Sequence, residues 1–179
     1  MRYCFLTLTL IIFLKSLLFA GGENDSVTIT PIEESDGWPR FLVDAGVQHL
    51  DMRFPCLPGI EDYGDTVVLS AVDTSVFPTA VYGISFHKDA EEVNDPMELF
   101  EEILIGHSSA SNALLWHRIS VDGDRYILDI ITKSTRNRVY RKDRVIVTGH
   151  SVYFLFTIFF IGSLENHDYF AESFSVRAG

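Results

Sequence analysis

Six histidines, a cluster of serines and two blocks of charge are the residues of this sequence with chemistry to offer. Imidazole binds metals and moves protons near neutral pH, so His49, His87, His107, His117, His150 and His167 come first. None stands three to five residues from another His or a Cys, the spacing typical of zinc sites. His107 is followed by Ser108, Ser109 and Ser111, types that suggest a nucleophile with its base. No Gly-x-Ser-x-Gly elbow accompanies them, nothing local activates a serine, and helix-exit loops are rich in such residues for turn-making reasons. No glycine-rich phosphate loop is present. The acidic run Asp89, Glu91, Glu92, Asp95, Glu98, Glu101 and Glu102 has oxygens for a calcium ion. It lacks the glycine that wraps a loop around the ion, and Pro96 diverts the chain into a helix, so a solvated acidic face is expected. The reading is of a protein that is not an enzyme, with no catalytic residue, no metal and no cofactor.

The basic block says more. Lys133, Arg136, Arg138, Arg141, Lys142 and Arg144 fall in one twelve-residue window of a chain with 14 basic and 25 acidic residues and a formal net charge of −11. Like charges this close repel one another and attract a partner of opposite sign, speeding its approach. These six are the candidate partner-binding residues, and the partner is a protein or an anionic envelope component. The competing reading is a hairpin whose charges keep a sheet edge from pairing with other chains. Nucleic acid is not expected, because the acidic remainder repels phosphates.

Two further features carry alternatives. The aromatic run Tyr153, Phe154, Phe156, Phe159 and Phe160 suits either a packed core or the lining of an apolar ligand pocket. Cys56 is read as a small buried apolar residue beside Pro55.

The elements that must position these residues follow from hydropathy. Residues 1–22 read as a signal peptide: Arg2 is a positive start, Cys4 to Leu14 is mostly apolar, and Ala20-Gly21-Gly22 suits a cut after Gly22. Lys15 breaks the run short of the roughly 20 apolar residues a membrane helix needs. An exported protein, periplasmic or extracellular, is therefore expected, with no stable membrane span once the leader is cut. Cleavage removes Arg2, Lys15 and Cys4, leaving 12 basic against 25 acidic residues, a charge of −13, and no cysteine pair for an internal disulfide. Residues 23–40 form an acidic, turn-rich lead-in, with Trp38 placed to dock on the body. Period-two alternation marks Val47 to Phe54 as a strand, ended by Pro55-Cys56-Leu57-Pro58. Thr66 to Thr74 and Ala80 to His87 continue the meander. Asp95-Pro96 opens a helix with Met97, Phe100, Ile103 and Leu104 on one side, running to about Gly106. Strands follow at Ala113–Val121, Arg125–Lys133, Arg138–Thr148 and Val152–Ile161. The turns between them are at Asp122-Gly123, around Asn137 and at Gly149-His150. Residues 165–174 close the chain as a short helix with Ser163 as its cap. The expected class is α+β: a single antiparallel sheet of about six or seven strands with helices packed on it, over residues 41–179.

Three stretches carry a resemblance to a known family. Met52-Arg53-Phe54-Pro55-Cys56-Leu57-Pro58 resembles the "RFP-x-x-P" end of an early strand in PsbP-like proteins. Val145 to Phe160, with Gly149-His150-Ser151-Val152-Tyr153, resembles that family's late hairpin. Tyr169-Phe170-Ala171-Glu172-Ser173-Phe174 resembles its closing "F-x-x-SF" helix. The likeness spans about residues 40–176 and is similar to the bacterial exported PsbP-like proteins. It departs at Cys56, where a small residue is usual, and in the Phe-rich late strand. It implies a PsbP-like sandwich and an exported, non-enzymatic domain that binds a larger partner or assists assembly, and it supplies no catalytic residues. The functional expectation is thus a binding or assembly module acting through the hairpin 133–144. The alternative is a carrier of an apolar ligand under strand 152–161, and a hydrolase using His107, His117 or Ser108 comes third.

Overall fold

The computed structural model describes residues 27–33, 37–76, 78–89, 93–109, 111–136, 138–160 and 165–177. The leader at 1–22, residues 23–26 and 34–36 of the lead-in, residues 90–92 of the acidic run, Asn137 and Ser163 lie outside the described residues.

Two antiparallel sheets make up the body. β1 (Thr28–Glu33), β2 (Arg40–Ala45), β3 (Gln48–Arg53) and β11 (Ser175–Val176) form the small one, in the order β1-β2-β3-β11. The large sheet runs β4-β5-β6-β10-β9-β8-β7. Its strands are β4 (Gly59–Asp62), β5 (Thr66–Asp73), β6 (Ala80–His87), β7 (Asn112–Asp122), β8 (Arg125–Ser134), β9 (Val139–Thr148) and β10 (Ser151–Phe160). Helix α1 (Pro96–His107) bridges β6 and β7, and α2 (Glu165–Glu172) follows β10. The Asp95 carboxylate accepts from the Met97 and Glu98 amides, 2.9 and 3.1 Å away, and caps α1 as its sequence predicts.

The expectation of a single sheet with packed helices is overturned. β3 is the alternating strand expected near 47–54, but it belongs to a separate sheet. Two-residue turns explain part of this. Ala45 pairs with Gln48 across Gly46-Val47, and Gly46 sits at φ +62°, where glycine carries no steric cost. That turn makes a hairpin of β2 and β3, and β1, from the segment read as a lead-in, extends it. The proline-flanked stretch 55–58 then stops the small sheet before β4 begins the large one. The chain end closes the sheet, with Ser175 opposite Asp51.

Two apolar cores result, one on each face of the large sheet. Between the sheets lie Phe41, Leu50, Met52 and Phe54 from the small one and Leu69, Tyr82, Ile84, Tyr153, Leu155 and Phe159 from the large one. Phe170 and Phe174, from α2 and the segment just after it, complete this core. On the far face Phe100 of α1 packs on Leu128, Ile130, Val145, Val147 and Val152. β10 is therefore buried on both sides, which accounts for its continuous apolar sequence. Trp38 docks edge-on to Tyr82 and Tyr169, with ring centroids 4.6 and 5.6 Å apart. Met97, expected on the apolar face of α1, is exposed. Among the described residues, no helix is long and apolar enough to cross a membrane.

Candidate functional site

Strand register decides where the six basic residues go. β8 and β9 are interior strands, so the hairpin 133–144 protects no edge, and alternate residues of β9 point to opposite faces. Lys142 and Arg144 face the small sheet. Arg141 faces α1.

On the small-sheet side, Arg118 of β7, Asp129 of β8, Arg144 of β9 and Leu155 of β10 form one cross-strand row. Asp129 is buried between the two guanidiniums, 3.0 Å from Arg118 and 2.7 Å from Arg144. Burial alone works to raise its pKa. The Arg144 and Arg118 contacts outweigh that and hold the carboxyl below the usual carboxylate range. The next row is Trp116, Ile131, Lys142 and Thr157. Here Lys142 pairs with Asp168 of α2, and the Thr157 hydroxyl bonds Nδ1 of the buried His167 at 2.6 Å. The third row joins Ala113, Lys133, Tyr140 and Phe159, with the Lys133 ammonium 5.5 Å over the Tyr140 ring.

On the α1 side, Asp143 is buried and takes two bonds from Arg141 Nε, at 2.7 and 2.9 Å. His107, in the last turn of α1, comes within 3.7 Å of the same carboxylate. Desolvation lowers the His107 pKa, the Asp143 charge working against the shift and Arg141 with it. The serines after His107 do other work: the Ser108 amide closes the helix on the Leu104 and Ile105 carbonyls, and the Ser109 and Ser111 hydroxyls bond each other at 3.1 Å. His117 is exposed on β7, His49 bonds Asp44 at 2.7 Å in the small sheet, and His150 is exposed in a turn. Among the described residues no three His, Cys, Asp or Glu side chains form a group suited to a metal ion.

Three of the six basic residues are thus held in internal ion pairs. The other three behave differently. Arg136 and Arg138 are exposed in the β8–β9 loop, and Lys133 is half-buried at its base. β7 lies beside them, with the Thr135 amide bonding the Ser111 carbonyl at 2.9 Å. Trp116 is exposed on β7, and the Arg118 guanidinium stacks over its ring at 5.7 Å. The edge strand β7 therefore presents an exposed indole with a guanidinium over it, and the β8–β9 loop beyond its first residues presents two exposed arginines. That arrangement can bind a surface; it gathers no nucleophile with a base. Compared with known proteins, the chain matches no family model and no curated protein.

Sequence reasoning missed Trp116, Arg118 and Asp129. Asp129 left a trace, since a lone carboxylate inside Tyr126-Ile-Leu-Asp-Ile-Ile131 needs a buried cation, and the basic block lies one strand away. Trp116 left none. Of the aromatic run, Tyr153 and Phe159 fill the interior, Tyr153 tilted against Phe174 at 5.0 Å and Phe159 stacked on Tyr140 at 5.9 Å, whereas Phe160 is exposed. Cys56, expected buried, is exposed, because the turn between the sheets carries it outward.

Proposed function

We propose that this protein is an exported, non-enzymatic binding or assembly module that engages an acidic protein surface through the β7 and β8–β9 loop end of its large sheet. The observation that supports this reading is the exposure of Trp116, with Arg118 over its ring, on β7, and of Arg136 and Arg138 in the β8–β9 loop beyond the end of that strand, in a chain of net charge −11. Trp, Arg and Tyr dominate binding hot spots because they bury large area with fixed geometry. Exposed cations on an otherwise acidic body steer an acidic partner to this end and repel it elsewhere. Arg141, Lys142 and Arg144 orient the scaffold and do not meet the partner. Export rests on the leader pattern at 1–22; N-terminal sequencing of the protein recovered from its host tests it, with a start near Glu23 as the expected outcome and a start at Met1 as the contrary one.

Crosslinking in the living host, followed by mass spectrometry of the adduct, tests the surface. Wild-type chain yields an acidic protein crosslinked near Arg136 and Arg138, and capture weakens as salt rises. The double variant Arg136→Glu, Arg138→Glu loses it while keeping the wild-type melting temperature. Unchanged capture by that variant, or an adduct that is a glycan or lipid, overturns the reading.

A further inference from the structure

The large sheet ends in a long edge strand. β7 is last in the order, and among the described residues no strand lies beyond it. It is eleven residues long, whereas the opposite edge, β4, has four. Natural edges are short, bulged or charged because a long free ladder pairs with whatever strand arrives. β7 carries two charged residues, Arg118 and Asp122, and a register irregularity between Leu114 and Trp116. Beyond it the strand is regular to Asp122, with Ile119 and Val121 exposed.

The register on β8 says how a second strand must sit. Asp122 and Arg125 close a two-residue turn, so Asp122, Ser120 and Arg118 turn their amides and carbonyls toward β8. His117, Ile119 and Val121 turn theirs outward. An antiparallel partner must set its own outward residues against these. A second copy does so with Ile119 opposite Val121 and Ser120 on the twofold axis. Arg118 of each copy then lies opposite Asp122 of the other, in the close, non-hydrogen-bonded positions where side chains meet. The Arg118 side chain is 59% exposed even while it bonds Asp129, and Asp122 is exposed. Slipping the partner by two residues toward the bulge leaves Arg118 opposite Ser120, and by four it brings the two Arg118 side chains face to face; a slip of two the other way sets Arg118 against Asp124, which lies in the turn beyond the strand.

We infer that two copies of this chain associate by antiparallel β7–β7 pairing in the register that sets Arg118 against Asp122. The two large sheets become one continuous sheet. The twofold axis stands perpendicular to it, so the faces carrying Trp116 and Arg118 lie on the same side while the two β8–β9 loops point in opposite directions. This interface shares β7 and Arg118 with the acidic-partner surface proposed above and does not use the loop residues Arg136 and Arg138.

Sedimentation velocity of the full chain, processed as its host processes it, reads the association directly. Wild type sediments at twice the chain mass. Asp122→Arg alone opposes two arginines and Arg118→Asp alone opposes two carboxylates, and each weakens self-association by about tenfold or more. Mixed together, these two variants restore both ion pairs and form a heterodimer. Val121→Pro removes an outward amide without touching the ladder to β8, and it also dissociates. Arg118→Asp also sets a carboxylate beside the buried Asp129, so circular dichroism checks that each variant is folded, and Asp122→Arg and Val121→Pro carry the test where Arg118→Asp is not. A monomeric wild type, Asp122→Arg associating as tightly as wild type, or folded variants that fail to pair on mixing overturns the inference. A dissociated Asp122→Arg that still captures the acidic partner separates this interface from the other surface.

Discussion

Asp129 and His167 show what single buried side chains do here. Asp129 is ionised inside the sheet only because Arg118 and Arg144 flank it. Arg144→Glu would set two carboxylates together in that place, and it costs about 3 kcal/mol or more in stability. Arg138→Glu, on the exposed loop, changes stability by about 0.5 kcal/mol or less. Thermal melts of the two variants side by side distinguish them, although the residues sit six positions apart. His167 is buried on the same face, and desolvation, helped by the Lys142 charge, pushes its pKa from 6.5 down to about 3. The folded state thus refuses a proton that the unfolded chain accepts. Stability is full above pH 6.5 and falls as the pH drops from there toward 3. At pH 5 the loss from this group is about 2 kcal/mol, at roughly 1.4 kcal/mol per unit. His107 shifts in the same direction and adds to the slope. His167→Asn flattens the pH 5–7 portion of the curve measured by urea unfolding. A curve of unchanged slope contradicts this account of the buried imidazole.

At the scale of the element, Gly83 shows how one strand accommodates another. It pairs with Phe156 on β10, whose ring lies across it. A methyl group there would sit 2.8 Å from Phe156 Cε1 and 2.7 Å from the Leu69 carbonyl oxygen, distances real Cβ atoms do not tolerate. On its other side the Phe156 ring carries the Arg141 guanidinium at 5.3 Å, and Arg141 in turn clamps Asp143. Gly83→Ala therefore costs about 2 kcal/mol by overpacking. Adding Phe156→Leu recovers part of that by making room, a non-additivity that a double-mutant cycle in urea measures. The strand from Ala80 to His87 was legible as the next piece of the meander after the break at Pro78. The glycine within it was not interpretable, because the ring that requires it lies about seventy residues downstream.

At the scale of the molecule, the two sheets are joined by a buried polar bridge as well as by their shared core. The Tyr153 hydroxyl on the large sheet donates to the Gln48 carbonyl oxygen on the small one at 2.6 Å, and the Gln48 amide donates to the Ser151 hydroxyl at 3.0 Å. Burial raises the Tyr153 pKa, so the phenol stays neutral and donates across the ordinary pH range. Tyr153→Phe leaves the Gln48 oxygen buried and unpaired, at a cost of about 1–3 kcal/mol. Hydrogen exchange then rises in β2 and β3 before it rises in β8 and β9. Equal acceleration everywhere would show that the bridge does not couple the sheets in this way.

What the sequence determined by itself was local. Period-two alternation at Val47–Phe54, Asp95 before Pro96 and the Asp122-Gly123 turn act within a few residues of chain, and β3, α1, β7 and β8 follow them closely. What only the tertiary structure decided was partnership. Alternation says that a strand has one apolar face, but not which sheet receives it, so β1, β2, β3 and β11 became a second sheet where one had been expected. The same limit governed the basic block. A twelve-residue window of cations reads as one patch, yet the pleat sends neighbours to opposite faces, where Asp129, Asp143 and Asp168 neutralise three of them. Charge in a sequence is a sum over a window, whereas charge at a surface depends on which side chains the register leaves exposed.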